Sequence, residues 1–330
     1  MKIAIIGLRG HVWYAVDDLC RLKNIEVPAI SAGCDDDITP LLDGCRKAGF
    51  EPQIYADWRL MLDEVKPDVV VIDGPFDSHA QMCVYALDRN IHVFCEKPIS
   101  LDWKGLEEIK RSFEKSSAHL LSMVGLRYQE DFQTALELVR AGAVGKVKLI
   151  STRKSYRLGE RPDFYRKRST YGGTIPWVGS HAFDWIMAFS GSGFDTIWAS
   201  HTTDDNRGHG ELEIACQAIC TMKNGVQGQA SIDFLRPMTA PSHGDDQVRV
   251  AGTDGVLEVR EGKITLIDKD GFHEIPVNKD VPHIFEDFVT SLQTGKACWV
   301  TDKEAFLLTE AVLAARDSAD TGELYKVGGF

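Results

Sequence analysis

Through the first third of the chain, short apolar runs alternate with segments of helical spacing. Ile3 to Ile6 is an apolar run closed by Gly7. Val12 to Leu22 then has helical spacing, and Val27 to Ile30 is apolar again. Thr39-Pro40 offers an N-cap followed by proline at the first helical position, and Gly49 closes that segment. Ile54-Tyr55, Val69 to Ile72, Val93-Phe94 and Leu120 to Val124 continue the strand series, with helical segments between them. Strands apolar on both faces and joined by helices imply a parallel sheet with right-handed crossovers. The pattern predicts a doubly wound α/β domain over residues 1–123.

After Val124 the rhythm changes. A helix is expected over Asp131 to Ala141 and a strand over Lys146 to Tyr156. From Glu211 to Met222 apolar residues alternate strictly, and Asn224-Gly225 is a hairpin signal with Val226 to Phe234 as the returning strand. Gln247 to Ala251, Val256 to Arg260 and Lys263 to Ile267 fit further strands. This half reads as an α+β domain with a largely antiparallel sheet, residues 124–330. It ends in a helix over 301–319, opened by the capping box Thr301-x-x-Glu304 and expected to pack back on the first domain.

Composition narrows the class. The chain has 330 residues, 44% hydrophobic and 26% charged, with a net charge of −12. That describes a globular protein and disfavours nucleic acid and anionic membranes as partners. The longest apolar runs, such as Val69-Val70-Val71-Ile72, are far too short to cross a bilayer. The N-terminus enters a strand at once and lacks the parts of a signal peptide, so a cytoplasmic location is expected. Eight cysteines are scattered without a Cys-x-x-Cys pair. Cys216 and Cys220, four residues apart on one strand face, stand roughly 13 Å apart, too far for a disulfide.

The first βα turn, Gly7-Leu8-Arg9-Gly10-His11-Val12, sits where a Rossmann-type sheet binds dinucleotide phosphate. Only Gly7 is in register with G-x-G-x-x-G/A; Arg9 and Val12 hold the other two positions. The helix N-terminus should still offer N–H groups to an anion, and Arg9 a charge. After the second strand comes Ser31-Ala32-Gly33-Cys34-Asp35-Asp36-Asp37 with no arginine nearby, which favours NAD over NADP. Asp35 is the candidate for the ribose hydroxyls.

The turns after the fourth and fifth strands carry more. Gly74-Pro75-Phe76-Asp77-Ser78-His79 is followed by Cys95-Glu96-Lys97-Pro98. Later come Gly125-Leu126-Arg127-Tyr128, Gly142-Ala143-Val144-Gly145-Lys146-Val147, Tyr171-Gly172-Gly173, Gly179-Ser180-His181-Ala182-Phe183-Asp184 and Gly252-Thr253-Asp254-Gly255. In order and spacing this series resembles the glucose–fructose oxidoreductase and inositol dehydrogenase (Gfo/Idh/MocA) family, over nearly the whole chain. The resemblance implies an NAD-dependent oxidoreductase acting on a secondary alcohol of a sugar, polyol or sugar derivative, and a homo-oligomer. It implies a cis bond before Pro98. Expected cofactor contacts are Gly7, Arg9, Gly10, His11, Asp35, Pro75, His79, Glu96 and Lys97.

Oxidising an alcohol needs its C–H aimed at the nicotinamide and a group to take the hydroxyl proton. Lys97, partly desolvated beside a cationic ring, suits that role, and His181 matches the family's acid/base histidine. Arg127, Trp177, His181 and Asp184 are the expected substrate contacts. No metal-ligand spacing is present, and none is expected.

Two departures bear on the reaction. The family often has aspartate four residues before the histidine, whereas this chain has Trp177, which can stack on a ring but cannot accept a proton. That keeps open a redox-neutral reaction through transient oxidation, and beyond it a non-catalytic ligand sensor. From Arg153 to Arg168, seven basic residues (Arg153, Lys154, Arg157, Arg161, Arg166, Lys167, Arg168) face only Glu160 and Asp163, a local charge of +5. The patch fits a solvated loop or subunit contact, or a cleft for a carboxylated or phosphorylated sugar. His243-Gly244-Asp245-Asp246 could add polar groups to the site or to an interface.

Overall fold

A computed structural model describes residues 1–328. The chain forms two compact units, Met1–Gly125 with Pro282–Phe306, and Leu126–Val281 with the segment from Leu307 onward. Among the described residues no helix is long and apolar enough to cross a membrane.

The first unit alternates β1 (Lys2–Gly7), α1 (Trp13–Val16), β2 (Glu26–Ser31), α2 (Thr39–Lys47), β3 (Gln53–Tyr55), α3 (Trp58–Val65), β4 (Val69–Asp73), α4 (His79–Leu87), β5 (His92–Cys95), α5 (Trp103–Phe113) and β6 (Leu120–Ser122). Every strand pair is parallel, in the order β3-β2-β1-β4-β5-β6, with Ile5 opposite both Ile30 and Val71. All five residues of β4 are buried, as the unbroken apolar run demands of a central strand. The order reverses between β1 and β4, so a crevice opens beyond their carboxyl ends, where such sheets bind ligands. Helix α1 is shorter than the Val12–Leu22 spacing suggests, because the chain after Val16 turns and buries Asp18. Thr39 does begin α2, but its N–H donates to the Asp37 carboxylate (2.9 Å) instead of its side chain acting as cap.

The second unit holds α6 (Glu130–Arg140), β7 (Val147–Tyr156), α7 (Arg168–Tyr171), α8 (Ser180–Ser190), β8 (Phe194–Thr202), β9 (Ala215–Met222), β10 (Gln227–Asp233), β11 (Gly244–Gly252), β12 (Gly255–Arg260), β13 (Lys263–Asp268) and β14 (Gly271–Ile275). Helix α9 (Ile284–Thr294) then returns to the first unit. Helix α10 (Asp302–Thr321) and β15 (Tyr325–Lys326) end the description. The nine-stranded sheet runs β14-β13-β12-β11-β7-β10-β9-β8-β15 and is antiparallel except where β7 meets β10. Strict alternation in β9 is borne out, with Cys216, Ala218, Cys220 and Met222 on the buried face. The β9–β10 turn uses Gly225 at φ +84°. Asn224 has no positive φ, so the hairpin closes by a longer turn than the two-residue type. Helix α8 is buried along nearly its whole length and packs on β7 and β10.

Segment 282–306 belongs with the first unit through specific contacts. Phe285 and Phe288 lie against Phe94 of β5, at ring separations of 5.0 and 5.9 Å. The buried Asp18 carboxylate meets His283 Nδ1 at 2.6 Å and accepts the Glu286 N–H. The capping box forms as expected: the Thr301 N–H donates to Glu304 Oε2 (2.8 Å), and the Glu304 N–H reaches back to Thr301 Oγ1. At the start of α10, Phe306 packs on Phe113.

Candidate active site

Gly7 ends β1 at φ +82°, and a Cβ added there would lie 2.3 Å from Gly74 Cα. Only glycine lets the β1 and β4 turns approach this closely. The turn's donors, however, do not simply face outward. The Arg9 N–H donates to the Asp73 carbonyl (2.9 Å), and the N–H groups of Gly10 and Val12 donate to the two Asp73 carboxylate oxygens (both 2.8 Å). A buried carboxylate at the end of β4 thus takes donors that the sequence pattern assigns to an outside anion. Gly10 is a glycine for the same reason: a Cβ would meet Asp73 Oδ1 at 2.7 Å and Glu96 at 2.8 Å. Burial, then the charge of Glu96, push the Asp73 carboxyl well above its ordinary range.

At the β2 end of the crevice, Arg9 forks onto Asp36, with Nε at 2.6 Å and Nη2 at 3.0 Å from the two carboxylate oxygens. That hydrogen bond holds Asp36 below the usual carboxylate range and Arg9 above its own. Asp35, the residue expected at this place, is exposed and takes no part in this pair. The half-buried acid beside the turn is Asp36, because the bends after Ser31 delay it by one residue.

Beyond β4 and β5 the polar groups are densest. The Glu96 carboxylate meets His11 Nδ1 at 2.9 Å and Lys97 Nζ at 3.3 Å through its Oε1, and His11 stacks on Tyr14. Glu96 and Lys97 are essentially sealed from solvent. Burial alone would raise the Glu96 carboxyl, but His11 and Lys97 outweigh it and hold the group at about 2. Glu96 Oε2 is buried and has no hydrogen-bond partner among the described residues. The Lys97–Pro98 bond is cis, as the resemblance implies.

His79 sits between two turns of the crevice. Its Nδ1 lies 3.0 Å from the Pro98 carbonyl and its Nε2 3.2 Å from the Gly74 carbonyl, within a fully buried site. Burial lowers its pKa against the pull of those two carbonyls, and the ring lies between the Gly74-Pro75 turn and the Glu96-Lys97-Pro98 turn. Pro75 is buried as well. The donor set fits a dinucleotide. One end supplies an acid and a cation for a ribose and its phosphate, and the other a lysine with an unsatisfied buried acceptor for a carboxamide.

In the second unit, a π-helical turn over Ile175–Gly179 leads into α8 and places Trp177, His181 and Asp184. His181 is buried, 6.4 Å from the Trp185 ring. Trp177 packs on Tyr165, with ring centres 4.8 Å apart. Arg127 and Asp184, both expected to meet substrate, form a buried bidentate pair, with Nε at 3.0 Å from Oδ2 and a second contact to Oδ1. Asp184 shares His181's side of the helix, but its charge is answered by Arg127. His243 stacks on Tyr156, while Asp246 grips Lys154 and Asp245 meets Arg153 and Arg260. Asp36, Asp73, Tyr165 and the Arg127–Asp184 pairing went unread in the sequence. Only Asp73 left a trace there, an acid closing an apolar strand run.

Comparison with known proteins agrees with this architecture. Residues 1–124 match the family described as "Oxidoreductase family, NAD-binding Rossmann fold", and residues 132–258 match the GFO/IDH/MocA C-terminal domain. The chain is 26% identical to D-xylose 1-dehydrogenase (NADP(+)) 2 of Haloferax volcanii, with 98% of each chain covered. It is 24% identical to myo-inositol 2-dehydrogenase of Thermotoga maritima, over 82% of this chain and 79% of the other. A solved structure of a candidate oxidoreductase from Thermotoga maritima is 41% identical with a TM-score of 0.95, covering 99% of this chain and all of that one. With matches to both halves on one chain, this protein belongs to the GFO/IDH/MocA family and is an oxidoreductase with an NAD-binding Rossmann domain.

Proposed function

We propose that this enzyme transfers hydride reversibly between NAD and a secondary alcohol of a sugar, polyol or sugar derivative. The observation that carries the reading is Lys97, buried at the carboxyl end of β5 with its ammonium against Glu96. NAD when bound supplies the hydride acceptor. The Lys97 ammonium donates a hydrogen bond to the substrate oxygen and stabilises its developing negative charge as the C–H bond breaks, while the hydroxyl proton passes to His181. Glu96 holds that ammonium in place and keeps Oε2 for a donor outside the protein. Arg9 and Asp36 orient the adenosine end. His181 is the acid/base, with a pKa class suited to reversible proton transfer. The sugar-acting relatives support the substrate class.

Trp177 favours a second reading. Where a carboxylate could have oriented His181, this chain has an indole packed on Tyr165. A relay without that carboxylate suits a redox-neutral reaction, in which transient oxidation acidifies a neighbouring C–H before re-reduction. The test is a screen of sugars and sugar acids by NADH absorbance, with bound nucleotide measured in parallel. The dehydrogenase reading expects net NADH, reduced about 10²- to 10⁴-fold in Lys97→Met while NAD binding persists. Lys97→Met turning over at the native rate would overturn it. Tight NAD without net NADH, alongside chemical change in the sugar, would select the redox-neutral reaction.

A further inference from the structure

The basic stretch from Arg153 to Arg168 separates into two parts. Most of its charges are answered locally. Lys154 is gripped by both oxygens of Asp246 at 2.6 Å, Arg153 meets Asp245 at 3.3 Å, Arg166 meets Asp163 at 2.9 Å, and Arg168 meets Glu213 and Asp320 at 2.6 and 2.7 Å. Lys167 is exposed and needs only water. Arg157 and Arg161 are different. Neither has a carboxylate within 4 Å among the described residues. Their only hydrogen-bond acceptors are backbone carbonyls, Ala240 for Arg157 and Arg157 itself for Arg161. Both Nε atoms are buried without a partner.

A solvated loop would not look like this. An arginine serving only solubility keeps its guanidinium in water, whereas these two are half-buried, Arg161 among rings. The Arg161 guanidinium lies 4.8 Å from the Phe234 ring centre and 5.9 Å from that of Tyr165. Removing a cation from water without a counter-charge is costly. The strain shows in the neighbours as well: burial lowers the Arg161 pKa, and burial followed by Arg161 and Arg157 holds His243 low. A planar fork of donors matches a carboxylate or phosphate. Location points to substrate. Tyr165, beneath Arg161, is the ring that packs on Trp177, and Lys154, near Tyr156, also faces Trp185 beside His181.

We propose that Arg157 and Arg161, with His243 at their edge, form a subsite for the anionic group of an acidic sugar. The proposal rests on the sugar-oxidoreductase reading and narrows its substrate to sugars bearing a carboxylate or a phosphate. The two guanidinia bind the anion and set which end of the sugar points away from the reacting alcohol.

The test measures binding, so it does not need turnover. Calorimetry on the NAD-loaded protein compares glucose, glucuronate and glucose-6-phosphate, followed by Arg157→Gln, Arg161→Gln and the double variant. At least one acidic ligand should bind about tenfold or more tightly than glucose, and each single variant should weaken it about ten- to hundredfold. The preferred acidic arm tells carboxylate from phosphate. Inorganic phosphate should compete with it in the native protein, which tests the subsite even if a variant misfolds. The proposal is overturned if neither acidic ligand outbinds glucose, or if the preference survives in a double variant with native circular dichroism and melting. It is overturned too if inorganic phosphate does not compete. Acidic-sugar binding that the variants abolish, in a protein that forms no NADH, would retain the subsite and remove the dehydrogenase reading.

Discussion

The Arg9–Asp36 pair gives the sharpest test of cofactor choice. Its members are 21% and 34% exposed, so as a structural ion pair it contributes about 1 kcal/mol at most, and Asp36→Ala should leave the fold intact. The effect on nucleotide is larger. An ionised acid bonded to ribose hydroxyls stabilises the complex by about 1.5–3 kcal/mol, and its loss should cut kcat/KM with NAD roughly 10- to 100-fold. The same change frees a guanidinium now held by Asp36 at 2.6 and 3.0 Å, and that fork matches a 2′-phosphate. Use of NADP should therefore rise, and the NAD:NADP ratio should fall about 100-fold or more. The assay is steady-state NADH and NADPH formation with one sugar at fixed concentration. Asp35→Ala, at the neighbouring exposed acid, should move the ratio by no more than about twofold. If Asp35→Ala shifts the preference and Asp36→Ala does not, the geometry drawn from this turn is wrong.

Two further outcomes concern buried charge. Asp184→Ala leaves Arg127, 2% exposed, without its counter-charge, and should cost about 3–5 kcal/mol in urea unfolding. The apolar pair Arg127→Met with Asp184→Leu should recover most of that loss, and a single variant as stable as the native protein would show that Arg127 does not depend on Asp184 for its counter-charge. Glu96 titrates near 2 in the folded chain, below its ordinary value, so its ionised form adds stability above about pH 4.5 that disappears as pH falls towards 2. Comparing native protein with Glu96→Gln across that range should show a stability gap that closes on acidification. A gap that widens instead would contradict the sign.

The sequence showed most where one physical demand dominates. β4 is buried on both faces and reads as an unbroken apolar run; β9 is buried on one and reads as strict alternation. β14 escaped because its residues are exposed or half-buried, leaving no apolar period to detect. β8 has a mixed pattern, and β15 is two residues long. Of the candidate residues, Lys97, Glu96 and His181 stood out through ordered motifs, each at a strand end or helix start. Which of three consecutive aspartates meets Arg9 depends on bends after Ser31, which no local propensity sets. Arg127 and Asp184 stood out as substrate contacts, but their pairing did not. A sequence shows that two ionisable residues sit near a site, but only the fold shows that they neutralise each other.

The contacts of segment 282–306 bear on how the protein is made. A nascent chain of 125 residues contains all six strands of the Rossmann sheet, but not the rings of Phe285 and Phe288 that cover Phe94, nor the partners of the buried Asp18 carboxylate. During synthesis at about 5–20 residues per second, that surface stays bare for roughly ten seconds or more, until the intervening β-rich stretch has been made. Neither domain is therefore finished before most of the other has been made: the first waits for segment 282–306, and the second for the stretch from Leu307 onward that supplies most of α10 and all of β15.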